Sequence, residues 1–277
     1  MTTTTPQLRE DLHTPRFNTA ETAKAARSDI SGQRLAFDAL PRVFIGHDRR
    51  EGVAVNVLAD SIQAQASRPV QIGQVRLSQL QGIYRRPQHP LQSTDFSFSR
   101  FLVPWLTGFE GWSLFIDADM LCLGDIAELW DLRDERYAVQ VVQHEHHCEI
   151  GRKFQAMPQT PYGRKNWSSL MLFNGPRCRA LTPEWVHQAS GLELHQFHWL
   201  ADGEIGALPP EWNVLVGVQP VPAQARILHY TLGGPWFDDC RDIALADQWL
   251  AAQAAMNDAP STTPIQKRTS FYNASVV

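Results

Sequence analysis

The segment Phe115-Ile116-Asp117-Ala118-Asp119-Met120-Leu121-Cys122 sets two carboxylates one residue apart, directly behind an apolar run. In an extended chain side chains two apart share a face, and a strand end can also turn, so both carboxylates can approach one cation. Their oxygens suit hard ions such as Mg²⁺ and Mn²⁺. A divalent ion held there can bind a diphosphate and neutralise charge on a departing nucleotide. On its own the triplet also fits two solvated loop aspartates or a helix cap before Leu121. Its surroundings decide between these readings.

Arg100 lies upstream in Ser99-Arg100-Phe101-Leu102, and His229 closes a later apolar run in Ile227-Leu228-His229-Tyr230-Thr231-Leu232-Gly233-Gly234-Pro235-Trp236. A neutral imidazole can complete a site begun by two carboxylates. Glycines at Gly233 and Gly234 would let backbone N–H groups approach phosphate oxygens. Another group, His144-Glu145-His146-His147-Cys148, looks like a metal cluster. Neighbouring residues alternate direction there and no second ligand pair has suitable spacing, so it reads as a polar loop at a site mouth. Tyr84-Arg85-Arg86, Arg152-Lys153 and Arg164-Lys165 read as solvated basic surface, with an anionic acceptor or membrane surface as the sharper alternative. There is no Gly-x-Ser-x-Gly elbow and no Gly-rich phosphate loop ending in Lys.

These residues need elements to position them. Val43-Phe44-Ile45 reads as a buried strand, 51–66 as a helix with Val53, Val57, Leu58 and Ile62 on one face, and 70–77 as a second strand. Further strands are expected at 113–116, 137–143, 168–173 and 225–229. Helices are expected at 98–106, bent or ended by Pro104, and at 126–132, 183–189 and 242–256. Alternating strands and helices predict an α/β fold, a largely parallel sheet covered on both faces, with ligands at the carboxyl ends of its strands.

In this order the motifs resemble the family-eight glycosyltransferases, the group of glycogenin and bacterial lipopolysaccharide sugar transferases. The likeness runs over 42–237 and rests on Val43-Phe44-Ile45-Gly46-His47-Asp48, Ser99-Arg100-Phe101, Asp117-Ala118-Asp119, Asn166 to Asn174 and His229 to Trp236. Lys165–Asn174 and Leu208-Pro209-Pro210-Glu211-Trp212-Asn213 look closest to a bacterial, glycogenin-like branch. The resemblance implies a GT-A fold, a Rossmann-like mixed sheet with helices on both faces. It also implies a retaining transferase that moves a sugar from UDP-sugar under Mn²⁺ or Mg²⁺, to a carbohydrate, lipid-linked or protein acceptor.

By the same resemblance, Gly46 and Asp48 would face the base and ribose, and Arg100 would pair with the acidic site or the donor. Asp117 and Asp119, with Ala118 between them, would bind metal and diphosphate, with His229 as third protein ligand. Gly233 and Gly234 would lie near the phosphates, Ser168 and Ser169 near the donor sugar. Asp202 would contact the transferred sugar and stabilise positive charge at its anomeric carbon, with Glu204 second to it. The sequence departs from the pattern where Arg50 stands for Asn and Gly203 for Gln. It also lacks the Lys before Pro235-Trp236, so phosphate charge would rest on the metal and on Arg100, Lys153, Arg164 or Lys165.

The bulk numbers agree with an enzyme. Hydrophobic residues are 43% and charged residues 19% of 277, and the net charge of −4 argues against a nucleic-acid coat protein. No apolar run is long enough to span a bilayer, and the Thr-rich start lacks a secretory stretch. Cys122, Cys148, Cys178 and Cys240 form no CxxC pair and suit a reducing compartment. A cytoplasmic protein is expected, with peripheral membrane contact still compatible. Residues 1–38 and 258–277 read as flexible tails around a domain at 39–257. Two other functions compete: a degenerate nucleotide-sugar-binding scaffold, and a metal-dependent phosphohydrolase, which would want Thr or Val where Leu121 stands.

Overall fold

The structure is a computed structural model that describes residues 40–87, 92–145 and 163–258. The expected tails, apart from 258, lie outside these residues, as do His146, His147, Cys148, Arg152 and Lys153. The described residues from Pro41 onward belong to one unit.

The chain enters through β1 (Arg42–Gly46), helix α1 (Gly52–Gln65) and β2 (Gln71–Val75). β1 and β2 are parallel, with Val43 opposite Ile72. The expected helix at 98–106 is instead a 3₁₀ turn, Ser99–Leu102, followed by the short α2 (Val103–Leu106). Pro104 sits in the first turn of α2, where its missing N–H costs nothing. β3 (Trp112–Ile116) follows, then β4 (Met120–Cys122) and α3 (Ile126–Trp130), whose cap Asp125 accepts a hydrogen bond from Ala127 N. β5 (Val139–Val142), β6 (Leu170–Asn174), α4 (Pro183–Gln188) and α5 (Gly191–His195) come next. β7 (Ile205–Leu208), β8 (Val214–Leu215), β9 (Ile227–His229) and α6 (Ala246–Asn257) complete the described fold.

The main sheet has six strands in the order β2-β1-β3-β6-β5-β7. It is mostly parallel: β6 alone runs against its neighbours β3 and β5. All residues of β3 and β6 are buried, so both faces of the sheet are covered. A second sheet, β4-β9-β8, carries its own apolar cluster with Ala54 and Val57 of α1, Leu121, Val214, Leu228, Tyr230 and Trp249. β4, β7 and β8 carry too few residues for a clear alternation, and none was expected from sequence.

Candidate metal centre

The acidic triplet occupies the joint between the two sheets. Asp117 follows β3 and extends its ladder with β6 by one step, through Asp117 N to Ser169 O at 2.9 Å. Asp119 immediately precedes β4. β4 pairs antiparallel with β9 so that Met120 lies opposite His229, and Tyr230 N donates to Asp119 O at 2.8 Å. This register delivers the distant His229 to the triplet. Ala118 is fully buried between the two acids. Asp117, Asp119 and His229 offer ligand atoms that all lie within 4.8 Å of one another, the one such group among the described residues.

A hydrogen-bonded chain fixes the imidazole. Ser169 Oγ donates to Asn166 O at 2.7 Å, so its lone pair accepts from Asn213 Nδ2 at 2.9 Å. That turns Asn213 Oδ1 toward His229 Nδ1, also at 2.9 Å. Nδ1 must then carry a proton, so in the neutral imidazole the Nε2 lone pair faces Asp119 Oδ1 at 3.3 Å. Two lone pairs at that range repel unless a proton or a cation stands between them. His229 is 2% exposed, and Asp119 Oδ1 is buried without a hydrogen-bond partner. The donor set and the orphaned oxygen fit a divalent cation.

Arg100 balances the other carboxylate. Its Nη1 lies 2.7 Å from Asp117 Oδ1 and donates to Ser168 O at 2.9 Å. Burial pushes the Asp117 carboxyl up to about 6, with Arg100 pulling down and Asp119 adding to the rise. Burial is the largest influence on Asp119 and acts upward, but His229, a backbone hydrogen bond and Arg100 together hold the carboxyl below its ordinary range. Asn166 adopts a left-handed conformation, φ 65°, which Asn tolerates better than most residues. It opens the 3₁₀ turn Trp167–Ser169 that aims the Ser168 and Ser169 carbonyls at Arg100 and Asp117.

The other sequence-predicted residues are placed as follows. Ser168 Oγ meets His195 Nδ1 at 2.7 Å, and Ser169 Oγ is taken up by Asn166 and Asn213. Asp48 is fully buried and both its oxygens are bonded, to Arg50 Nε and Nη2 at 2.9 and 2.7 Å and to Asp95 N at 2.9 Å. Gly46 touches Phe96, whose ring would lie 2.5 Å from an added Cβ. Gly233, at φ 106°, and Gly234 form a buried turn, and Trp236 lies across Gly234, 1.9 Å from where a Cβ would stand. Asp202 is exposed, ion-paired to Arg164 at 2.5 Å, and is outside the metal-ligand group. Glu204 meets Arg177 at 3.3 Å.

Asn213 and Glu51 had no assigned role in the sequence, and His144 comes from the loop read there as lining a site mouth. Asn213 holds the imidazole as described. Glu51, buried, and His144, half-buried, are titratable groups on which the charges of the candidate ligands act. Burial first, then the charge on His229, lowers His144 to about 4, and its Nε2 has no hydrogen-bond partner. The signal for Asn213 was its motif, Leu208 to Asn213, which the resemblance had marked without giving it a function.

No family model matches the chain. It is 45% identical over 218 residues to Protein CDI of Arabidopsis thaliana, covering 76% of this chain and 84% of that protein. The relative is a plant protein, whereas the sequence pointed to a bacterial branch. Among solved structures, the fold matches the bifunctional glycosyltransferase WbbM, with TM-score 0.54, 15% identity and 78% of this chain covered. It also matches the glycosyltransferase GlyE of Streptococcus pneumoniae, with TM-score 0.51, 15% identity and 79% covered. The galactosyltransferase LgtC, solved with donor and acceptor sugar analogues, gives TM-score 0.51, 14% identity and 81% covered. The chain spans 50% of WbbM, 62% of GlyE and 98% of LgtC. The fold is therefore that of the GT-A glycosyltransferases. No described helix is long and apolar enough to cross a membrane.

Proposed function

This chain belongs to the family of Protein CDI, and from that premise we propose that it is a metal-dependent glycosyltransferase using a nucleotide-sugar donor. The observation that carries the reading is the Nε2 of His229 facing Asp119 Oδ1 at 3.3 Å with its other nitrogen committed to Asn213. Asp117, Asp119 and His229 would hold Mn²⁺ or Mg²⁺, which supplies a positive charge for the leaving diphosphate. The GT-A fold and the ordered motifs support UDP-sugar as donor and retention of configuration, in the manner of family eight. The acceptor would be a carbohydrate, lipid-linked or protein hydroxyl.

The chain's own residues have defined tasks in this reading. Arg100 keeps Asp117 oriented and offsets its charge. Asn213 keeps His229 in the tautomer whose Nε2 can ligate. Asp48, with both oxygens bonded internally, would act by fixing Arg50 and the Asp95 loop at the nucleotide end of β1, next to Gly46. Gly233 and Gly234 would bring backbone N–H groups toward phosphate. Asp202, freed from Arg164, would approach the sugar and stabilise positive charge there.

The test is incubation with Mn²⁺ and a panel of nucleotide sugars, with and without pooled acceptors. Sugar-dependent release of UDP is expected, and it should vanish in Asp119→Asn while circular dichroism is unchanged. Full turnover by that variant excludes the metal role. Binding without release would favour a scaffold.

A further inference from the structure

Glu51 is 6% exposed, and its Oε2 finds no hydrogen-bond partner among the described residues. It stands immediately before α1, where Glu51 N donates to Asp48 O and Val55 N donates to Glu51 O, each at 3.1 Å. Those bonds lock its backbone at the carboxyl end of β1. Residues 51, 54, 55 and 58 share one helix face. Ala54, from that face, packs in the cluster with Leu121, Leu228 and Tyr230, which flank Asp119 and His229 in sequence. Ser61 Oγ, further along α1, accepts from Cys122 N at 3.2 Å. The helix therefore lies along β4, against the strand that begins just after Asp119.

A buried carboxyl without a partner is costly, and it is retained where something supplies the missing partner. Its position identifies that something: the residue bearing the unpartnered oxygen opens a helix that packs along β4, whose first residue follows Asp119 and pairs with His229, and the charges around it agree. After burial itself, Asp119, Asp48 and Asp117 push its carboxyl up to about 9, and Arg50 opposes them. A side chain in the field of three carboxylates is a poor place for diphosphate and a good one for a cation. Glu51 falls outside the group whose ligand atoms all lie within 4.8 Å, so it is not a direct ligand in this geometry.

We propose that Glu51 is the outer carboxylate of the cation site, accepting a hydrogen bond from water bound to the ion held by Asp117, Asp119 and His229. This rests on the reading of those three residues as a cation site. Outer-shell acceptors orient bound water and raise cation affinity. In the metal-free protein the same group is a liability.

The experiment titrates MnCl₂ into metal-free wild type, Glu51→Gln, Glu51→Asp and Asp119→Asn by calorimetry, and records melting temperatures and UDP affinity without metal. Glu51→Gln should bind Mn²⁺ about 10- to 100-fold more weakly than wild type, Glu51→Asp should fall between, and metal-free Glu51→Gln should melt at or above the wild-type temperature. A merely structural Glu51 would instead lower the melting temperature and leave affinity alone, which overturns the proposal. Unchanged Mn²⁺ affinity with weakened metal-free UDP binding also overturns it and assigns Glu51 to the nucleotide. Failure of wild type to bind Mn²⁺ would sink the underlying metal reading instead, whereas wild-type binding lost in Asp119→Asn upholds that reading however Glu51 behaves.

Discussion

Asn213→Ala should convert a fixed imidazole into a free one. Asn213 is fully buried, and its amide makes two bonds of 2.9 Å, one to His229 Nδ1 and one to Ser169 Oγ. Each such bond contributes about 1 kcal/mol, and a buried Nδ1–H left unpaired adds a cost of about 1–3 kcal/mol. Unfolding free energy in urea should therefore fall by roughly 3–5 kcal/mol. The functional effect runs through the tautomer. Without Asn213 Oδ1 the proton can move to Nε2, where it bonds to Asp119 and blocks the ligand position. Mn²⁺ affinity should drop about 10- to 100-fold, the usual effect of losing a group that orients a ligating histidine. Asn213→Asp is the control, because its carboxylate still accepts from Nδ1 although the link to Ser169 is lost. Nitrogen NMR of labelled histidine reads the protonated nitrogen directly. Wild-type cation affinity in Asn213→Ala, with Nδ1 still carrying the proton, would refute the chain of reasoning from Asn166 to the metal.

Two other outcomes follow from the charges. Arg100→Met removes the partner of Asp117 Oδ1 and the donor to Ser168 O; breaking a buried pair costs about 3–5 kcal/mol, so urea unfolding should shift by that order, and a change below 1 kcal/mol would show the pair to be solvated. Metal-free protein should lose stability as pH rises from about 4 to 9. The folded pKa values of Asp117, about 6, and Glu51, about 9, lie above the ordinary 3.8 and 4.5, so the folded state binds more protons than the unfolded one across that window. Asp48, where burial is outweighed by Arg50 together with the Asp95 backbone, and Asp119, where it is outweighed by His229 together with a backbone hydrogen bond and Arg100, act oppositely, and their contribution is lost only as pH falls through the acid range. Thermal unfolding against pH, with and without Mn²⁺, checks this: saturating cation should flatten the decline, and a rise in metal-free stability toward pH 9 would contradict it.

The sequence exposed the fold where elements were long or strongly apolar. β1, β3 and β6 are runs of Val, Phe, Ile, Leu and Met, and each was anticipated within two residues of its observed bounds. The strands of the second sheet were harder. β4 is three residues and β8 two, too short for periodicity, and both exist because β9 lies between them to complete their hydrogen bonds. The stretch 98–106 is expected as one helix, but Pro104 sits in the first turn of α2 and the residues before it, Ser99–Leu102, form a 3₁₀ turn.

The site divides along the same line. Asp117, Asp119 and His229 could be marked because carboxylates and imidazole at apolar strand ends have a recognisable chemistry. Which partners hold them depends on register, and register is a tertiary fact. The pairing of Met120 with His229 places Asp119 beside the imidazole, and the pairing of Leu215 with His229 brings the chain at Asn213 to its other nitrogen. Ser168 and Ser169 illustrate the consequence. The resemblance set both near a donor sugar, and the fold gives them internal bonds besides: Ser169 Oγ closes the link from Asn166 to Asn213, and the Ser168 carbonyl steadies Arg100. A residue type announces what a side chain can bond to; only the strand pairing selects which of those bonds it makes. The candidate ligands were legible because a cation tolerates few donor sets, and the supporting shell was not, because amides and hydroxyls bond to almost anything placed within reach.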